Sequence, residues 1–162
     1  MKKVFAAFLA VMLLVQTLFI SVSAEENNAD VTVDKAISET AQYIMNNSKS
    51  DWEVLALLRS NQTIEDTAFA EEYYTGIQNK LKETDSPILS GSETQLTDNS
   101  KAILTLSAMG INCTDISGYN IVEPLSNIEN IKIQGINSAV YALMALDAGG
   151  YTTSDSETRT KL

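Results

Sequence analysis

The sequence predicts an all-α protein in which α/α hairpins stack into an array. Two observations lead to this fold class. First, segments with a single apolar face alternate along the chain with segments that are apolar almost all round, and both kinds follow helical spacing. Second, the all-round segments resemble one another, since the one at Glu53 recurs 49 residues later at Ala102 and again 37 residues later at Ala139. Helices that are buried on all sides form an inner layer, so we expect the one-faced helices to wrap around them.

Residues 1–24 are predicted to be a cleavable secretory signal peptide. Lys2 and Lys3 precede an apolar run over residues 4–20, and Val22 and Ala24 are small residues placed for signal peptidase. The mature chain is then expected to begin at Glu25. The alternative is an uncleaved membrane anchor, although the apolar run is shorter than the roughly 20 residues that span a bilayer. In both cases the remaining chain is secreted or lies at the surface of a bacterial cell, and it meets the membrane only through this leader during export.

Charge and composition exclude several classes of function. The net charge is −10, and cleavage removes two lysines and no acid, so the mature chain carries −12. A chain without a basic patch is not expected to bind nucleic acid or an anionic membrane surface. It has no histidine and a single cysteine, Cys113, so it cannot supply a Ser-His-Asp triad, a Cys-His pair or a histidine-ligated zinc site from its own residues. We assign no catalytic residue and no metal site.

The first helical pair opens the folded domain, which we place at residues 33–162. Residues 25–32 are acidic and amide-rich and are predicted to be a disordered lead-in. Over residues 33–44 the apolar side chains recur at helical spacing on one face. Residues 52–58 follow as the first helix that is apolar nearly all round, and Trp52 at its start is predicted to belong to the core.

The second pair repeats this order. One apolar stripe, which predicts an amphipathic helix, is formed by Phe69, Tyr73, Ile77 and Leu81. Residues 102–109 form the next all-round apolar helix, and Thr97 with Asp98 is predicted to cap its start.

The third pair is weaker on its outer side. The outer segment, residues 121–128, is interrupted at Pro124, whereas residues 139–146 contain no polar side chain at all. Gly149 and Gly150 predict the end of this inner helix. Residues 158–162 look like the first turn of a further outer helix, so the chain contains about three hairpins.

Residues 51–57, 96–110 and 134–147, in this order, resemble the secreted bacterial proteins of the prenyltransferase and squalene-oxidase repeat group. That resemblance implies the α/α toroid shared by terpene cyclases, protein prenyltransferase β subunits and the cobalamin carriers. The family barrel has about twice as many hairpins. The chain therefore resembles its N-terminal half, a partial α/α toroid of about three hairpins.

The resemblance implies different functions for different members of the group. The Asp-x-Asp-Asp cluster and the Gln-x-x-x-Gly-x-Trp repeats of the cyclases do not occur here, and the prenyltransferase zinc site needs a histidine. The first hypothesis is therefore a non-catalytic module that binds a small molecule or a cell-surface protein. No cofactor is expected, and a corrinoid is the most concrete candidate ligand, by resemblance to the cobalamin carriers. The alternatives are a partial or degenerate terpenoid-cyclase-like or prenyltransferase-like enzyme and a purely structural interaction module.

Four polar residues near the most apolar helix are the candidate ligand contacts: Tyr119, Asn120, Gln134 and Asn137. They are expected to lie at helix starts and turns around the mouth of the cup that the inner helices form. Local roles compete with this interpretation, because Asn137 is a natural N-cap for a helix beginning at Ser138 and the Tyr119-Asn120 pair follows a glycine in a turn.

The last inner helix also predicts self-association. Residues 139–146 are apolar in every direction, while their outer partner is short and interrupted. An uncovered apolar patch of several hundred Å² is expected to follow, which is large enough to drive association or to bind a hydrophobic dye.

Overall fold

The computed structural model describes residues 26–47, 50–60 and 68–162, and these residues are mostly helical. The helices are α1 Glu26–Asn47, α2 Asp51–Arg59, α3 Ala68–Thr84, α4 Thr97–Ala108, α5 Ile128–Ile133, α6 Ile136–Ala148 and α7 Thr158–Lys161. A 3-10 turn, Glu123–Ser126, precedes α5, and the described ranges contain no β-strand. The all-α prediction is therefore confirmed. The predicted signal peptide lies outside the described residues.

The chain divides into two units, residues 1–37 and residues 38–162. The described part of the first unit is the beginning of α1, where Val33 and Ile37 are exposed. In the second unit the same helix buries Ala41 and packs Ile44 against the core. Since α1 begins at Glu26, it includes most of the predicted lead-in, where no glycine or proline interrupts helical propagation. No helix in the described ranges has the length and apolarity needed to cross a membrane.

Helix α4 lies at the centre of the second unit. Residues 102–106 are all buried, and α4 packs against α2 on one side and α6 on another. The helix predicted over residues 102–109 is confirmed as a helix that is buried over residues 102–106, whereas its place in an inner layer stays a prediction. The stripe predicted on α3 is confirmed as well, because all four of its apolar side chains are buried: Phe69, Tyr73, Ile77 and Leu81.

Three of these helices meet at Asp51, the first residue of α2. The Tyr73 hydroxyl donates a hydrogen bond to Asp51 Oδ1 over 2.6 Å, and Thr105 Oγ1 donates to the Asp51 carbonyl over 2.9 Å. Burial, followed by the Asp51 charge and this hydrogen bond, raises the pKa of Tyr73 well above its ordinary value. Tyr73 therefore remains a protonated donor that ties α3 to α2.

The segment between α4 and α6 differs from the prediction. Pro124 does not simply interrupt an outer helix, because it lies in the first turn of the 3-10 segment, where a missing N–H costs no hydrogen bond. Asn127 then accepts a hydrogen bond from the Asn130 N–H and so caps α5, a helix that the sequence analysis missed. The helix before α6 is thus α5, Ile128–Ile133, which lies further toward the C-terminus than the segment predicted over residues 121–128.

Helices α4 and α6 end in the same way. Each closes with two backbone hydrogen bonds around a glycine of positive φ, Gly110 at 77° and Gly150 at 63°, which is the Schellman arrangement. The bonds run from Gly110 to Ser107, from Ile111 to Leu106, from Gly150 to Asp147 and from Tyr151 to Leu146. Leu106 and Leu146, which hold equivalent positions in these two caps, are 40 residues apart, compared with the spacing of 37 between the apolar segments.

Candidate functional site

Helix α6 has a buried side made mostly of small residues and an exposed side made of larger apolar ones. The buried side consists of Ser138, Ala139, Ala142, Ala145 and Leu146. On the opposite side, the exposed fractions are 77% for Ile136, 44% for Val140 and 46% for Met144. These three residues are spaced by four, so they form one continuous stripe along the helix surface. The helix predicted to be buried all round is therefore buried on one side only.

Two further side chains extend this surface. Trp52 on α2 is 43% exposed, and its ring contacts that of Tyr141 on α6 edge-on, with centroids 5.6 Å apart. The prediction that Trp52 belongs to the core is wrong, because the indole covers Tyr141 from outside. Ile133, at the end of α5, is 66% exposed. We call the exposed set the open face: Trp52, Ile133, Ile136, Val140 and Met144.

The open face is uncharged on a strongly acidic protein. Helix α6 has no charged residue before Asp147, and the Asp147 carboxylate is paired with the Arg159 guanidinium. The five side chains together expose on the order of 500 Å² of largely apolar surface. A patch of this size lies near the upper end of what a monomeric protein exposes, and such patches are commonly binding surfaces.

Gln134 has a structural role that the sequence analysis did not assign to it. Its Oε1 accepts hydrogen bonds from both the backbone N–H of Thr97, over 3.0 Å, and the Thr97 hydroxyl, over 2.7 Å. Gln134 therefore caps α4 from a position 37 residues along the chain. The predicted local cap is wrong: α4 begins at Thr97, and Leu96 in front of it supplies no side-chain hydrogen bond.

Asn137 does not cap α6 either. The helix begins at Ile136, and its N-cap is Gly135, whose φ of 81° turns the chain sharply at the end of α5. Asn137 is thus one residue inside α6 and is exposed. Along the chain, Gln134 thus precedes the turn at Gly135 and Asn137 follows it.

Tyr119 and Asn120 are neighbours in the loop after α4. The Tyr119 hydroxyl donates to Asp85 Oδ1 over 2.9 Å, and this hydrogen bond raises the pKa of Tyr119. Asn120 Oδ1 accepts from the backbone N–H groups of Val122 and Glu123, at 3.1 and 3.3 Å, and so starts the 3-10 turn. Their role as ligand contacts, like that of Gln134 and Asn137, stays a prediction.

Three cavities of about 300 Å³ lie elsewhere on the second unit. The first cavity is lined by Ile88 and Pro124, among others. The second lies beside Tyr151, between the ends of α4 and α6, and the third lies around Thr153 in the C-terminal segment. None of them is lined by the four candidate ligand contacts. Volumes near 300 Å³ are at the small end of ligand sites, and a corrinoid is larger than the ligands such sites hold.

The most connected polar residue in the core is Asn99, which the sequence analysis missed. It is fully buried on α4, and its Nδ2 donates to the carbonyls of Pro87, over 2.7 Å, and Ile121, over 2.9 Å. Its Oδ1 accepts from the Leu89 N–H over 3.0 Å. Asn99 therefore fastens two loops to α4. One feature of the sequence indicated that Asn99 is buried: it lies four residues before Ile103 and therefore on the same face of the helix.

Among the residues that the structure describes, no three aspartate, glutamate, cysteine or histidine side chains are grouped so that they could hold a metal ion. Cys113 is fully buried and unpaired, and burial raises the pKa of its thiol. No protein-family model, curated protein or solved structure matches the chain. The open face is consequently the feature from which we infer a function.

Proposed function

We propose that the mature chain is a secreted, non-catalytic helical-repeat module that binds a protein partner through the open face at the exterior of a bacterial cell. The observation that carries this proposal is the arrangement of α6, whose buried side holds three alanines, a serine and one leucine, while an isoleucine, a valine and a methionine lie exposed. In a helix that only packs against its own domain, the larger apolar side chains lie on the buried side. Here a second contact surface explains their position.

Helix packing supports the repeat architecture that the proposal includes. The helices expected to form an inner layer meet in chain order, since α2 packs against α4 and α4 packs against α6. Helix α5 lies against α6 as an outer element does. We propose that this order belongs to a partial α/α toroid of about three hairpins, whose last inner helix is left exposed on one side by the described residues.

Charge and chemistry favour a protein as the partner. The side chains of the open face contribute binding free energy by leaving water, and they include no acid, base or nucleophile. A net charge of −12 on the mature chain opposes contact with nucleic acid or an anionic membrane. A corrinoid remains the alternative ligand, but the cavities beside α4 and α6 do not favour it, because their volumes are near 300 Å³.

Site-specific photo-crosslinking in culture tests the proposed function. A photoreactive residue at position 140, in the centre of the open face, is expected to form one discrete covalent adduct on the exported protein. The control places the same residue at position 80, which is exposed on α3 and outside the open face. Absence of an adduct at position 140, or equal adducts at both positions, would contradict the proposal. A rise in melting temperature on adding corrinoids would favour the carrier alternative instead.

A further inference from the structure

We infer that the partner of the open face is a second copy of the same chain, bound through α6 against α6 about a two-fold axis. This inference rests on the proposed function and names the occupant of its binding surface. It assigns the centre of the contact to Val140, with Ile136 and Met144 on either side.

The stripe on α6 is complementary to itself. Ile136, Val140 and Met144 lie on one row of side chains spaced by four residues. Rows of this kind on two helices interdigitate, and this is the commonest packing of helices in globular proteins. A two-fold axis at Val140 places Ile136 of one copy against Met144 of its partner and pairs the longer side chain at each end with the branched one.

The distribution of charge allows two copies to meet through the stripe and disfavours contact between most of their other surfaces. Each mature chain carries a net charge of −12, so two copies repel one another through most of their surfaces. The stripe adds nothing to that repulsion, because α6 is uncharged up to Asp147 and Asp147 is paired with Arg159. An uncharged surface does not attract a basic protein by long-range electrostatics. A cationic partner would therefore be drawn to the acidic surfaces of the chain rather than to the open face.

The area of the open face determines how tightly two copies are expected to bind. About 500 Å² on each copy amounts to about 1,000 Å² buried in the dimer, the lower limit for a specific interface. Contacts of this size are weak and reversible, so we expect a dissociation constant in the micromolar range. Trp52, which lies against Tyr141, is the aromatic residue placed to anchor the contact.

Sedimentation equilibrium of the secreted protein over micromolar to millimolar concentrations tests the inference. The wild type is expected to pass from monomer to dimer, and Val140→Asp is expected to weaken the dimer by about 100-fold or more, because it brings two like charges together at the axis. The matched control is Val33→Asp on α1, where the valine is also about half exposed, at 55%. The control is expected to dimerise as the wild type does.

Mixing two variants separates a two-fold contact from loss of folding. Val140→Asp and Val140→Lys are each expected to be monomeric, and their equimolar mixture is expected to form a heterodimer, since the axis places position 140 of both copies together. A wild type that stays monomeric, a mixture that does not associate, or a dimer sensitive only to Val33→Asp would overturn the inference. If the wild type stays monomeric while position 140 forms an adduct with a different protein in culture, the proposed function stands and only the second copy is rejected.

Discussion

Replacing Asn99 with leucine is expected to lower the free energy of unfolding by about 3–4 kcal/mol, because two buried backbone groups and one part-buried backbone group lose their partner at once. The carbonyls of Pro87 and Ile121 and the N–H of Leu89 all bond to this one amide, and leucine offers them nothing. Two loops would then lose their connection to α4. Urea unfolding followed by circular dichroism measures the change.

A second asparagine supplies the control for this prediction. Asn127 also uses its side-chain oxygen for a backbone N–H, that of Asn130, but at the exposed start of α5. Asn127→Ala is therefore expected to cost only about 1 kcal/mol, the usual value for a lost helix cap. Equal losses for the two variants would show that Asn99 does not hold the loops.

Replacing Gly149 with alanine is expected to destabilise the protein by about 2–3 kcal/mol, although its φ of −112° suits any residue. A Cβ at this position would overlap Cε2 and Cζ of the Tyr151 ring, so the ring would have to move. The Tyr151 hydroxyl accepts from the Cys113 N–H over 3.1 Å and donates to the Ile111 carbonyl over 3.2 Å. Moving the ring breaks these bonds between the segments that follow α6 and α4.

The neighbouring glycine separates crowding from backbone strain. Gly150 has a φ of 63°, but a Cβ there meets no atom within 4 Å, so Gly150→Ala is expected to cost about 1 kcal/mol from conformation alone. A double-mutant cycle combining Gly149→Ala with Tyr151→Ala identifies the clash. The two effects are expected to be strongly non-additive, whereas additive losses would show that the ring is not what the new methyl group meets.

The spacing of apolar residues was sufficient to predict a helix that has a single apolar face. The stripe of α3 runs from Phe69 to Leu81 at four-residue spacing, and only a helix buries all of its members together. The all-round apolar segments were harder to interpret, since such a pattern does not say which side is covered. Helix α4 has neighbours on more than one side, whereas in the part of the chain that the structure describes nothing covers Val140 and Met144 on α6.

The hydrogen-bonding roles could not be predicted, because their partners lie far away in the sequence. Gln134 caps a helix that starts 37 residues before it, and Asn99 reaches Ile121 across 22 residues. Asn137 failed as a cap for a local reason, because the positive φ of Gly135 starts α6 two residues earlier than an asparagine cap would. Among the candidate contacts, Gln134 and Tyr119 have partners that only the tertiary fold brings near, whereas the bonds of Asn120 are local.

Oxidation of individual methionines by dilute peroxide tests most directly whether the open face is a contact surface. Met144 is 46% exposed within that surface, one helical turn from Val140, while Met109 is half-buried at the end of α4 and serves as an internal reference. We expect Met144 to form sulfoxide faster than Met109 in dilute protein and to become protected as the concentration rises, with the Met109 rate unchanged. A Met144 rate that is the same in dilute protein, in concentrated protein and in the culture medium would contradict the assignment of the open face as an interface.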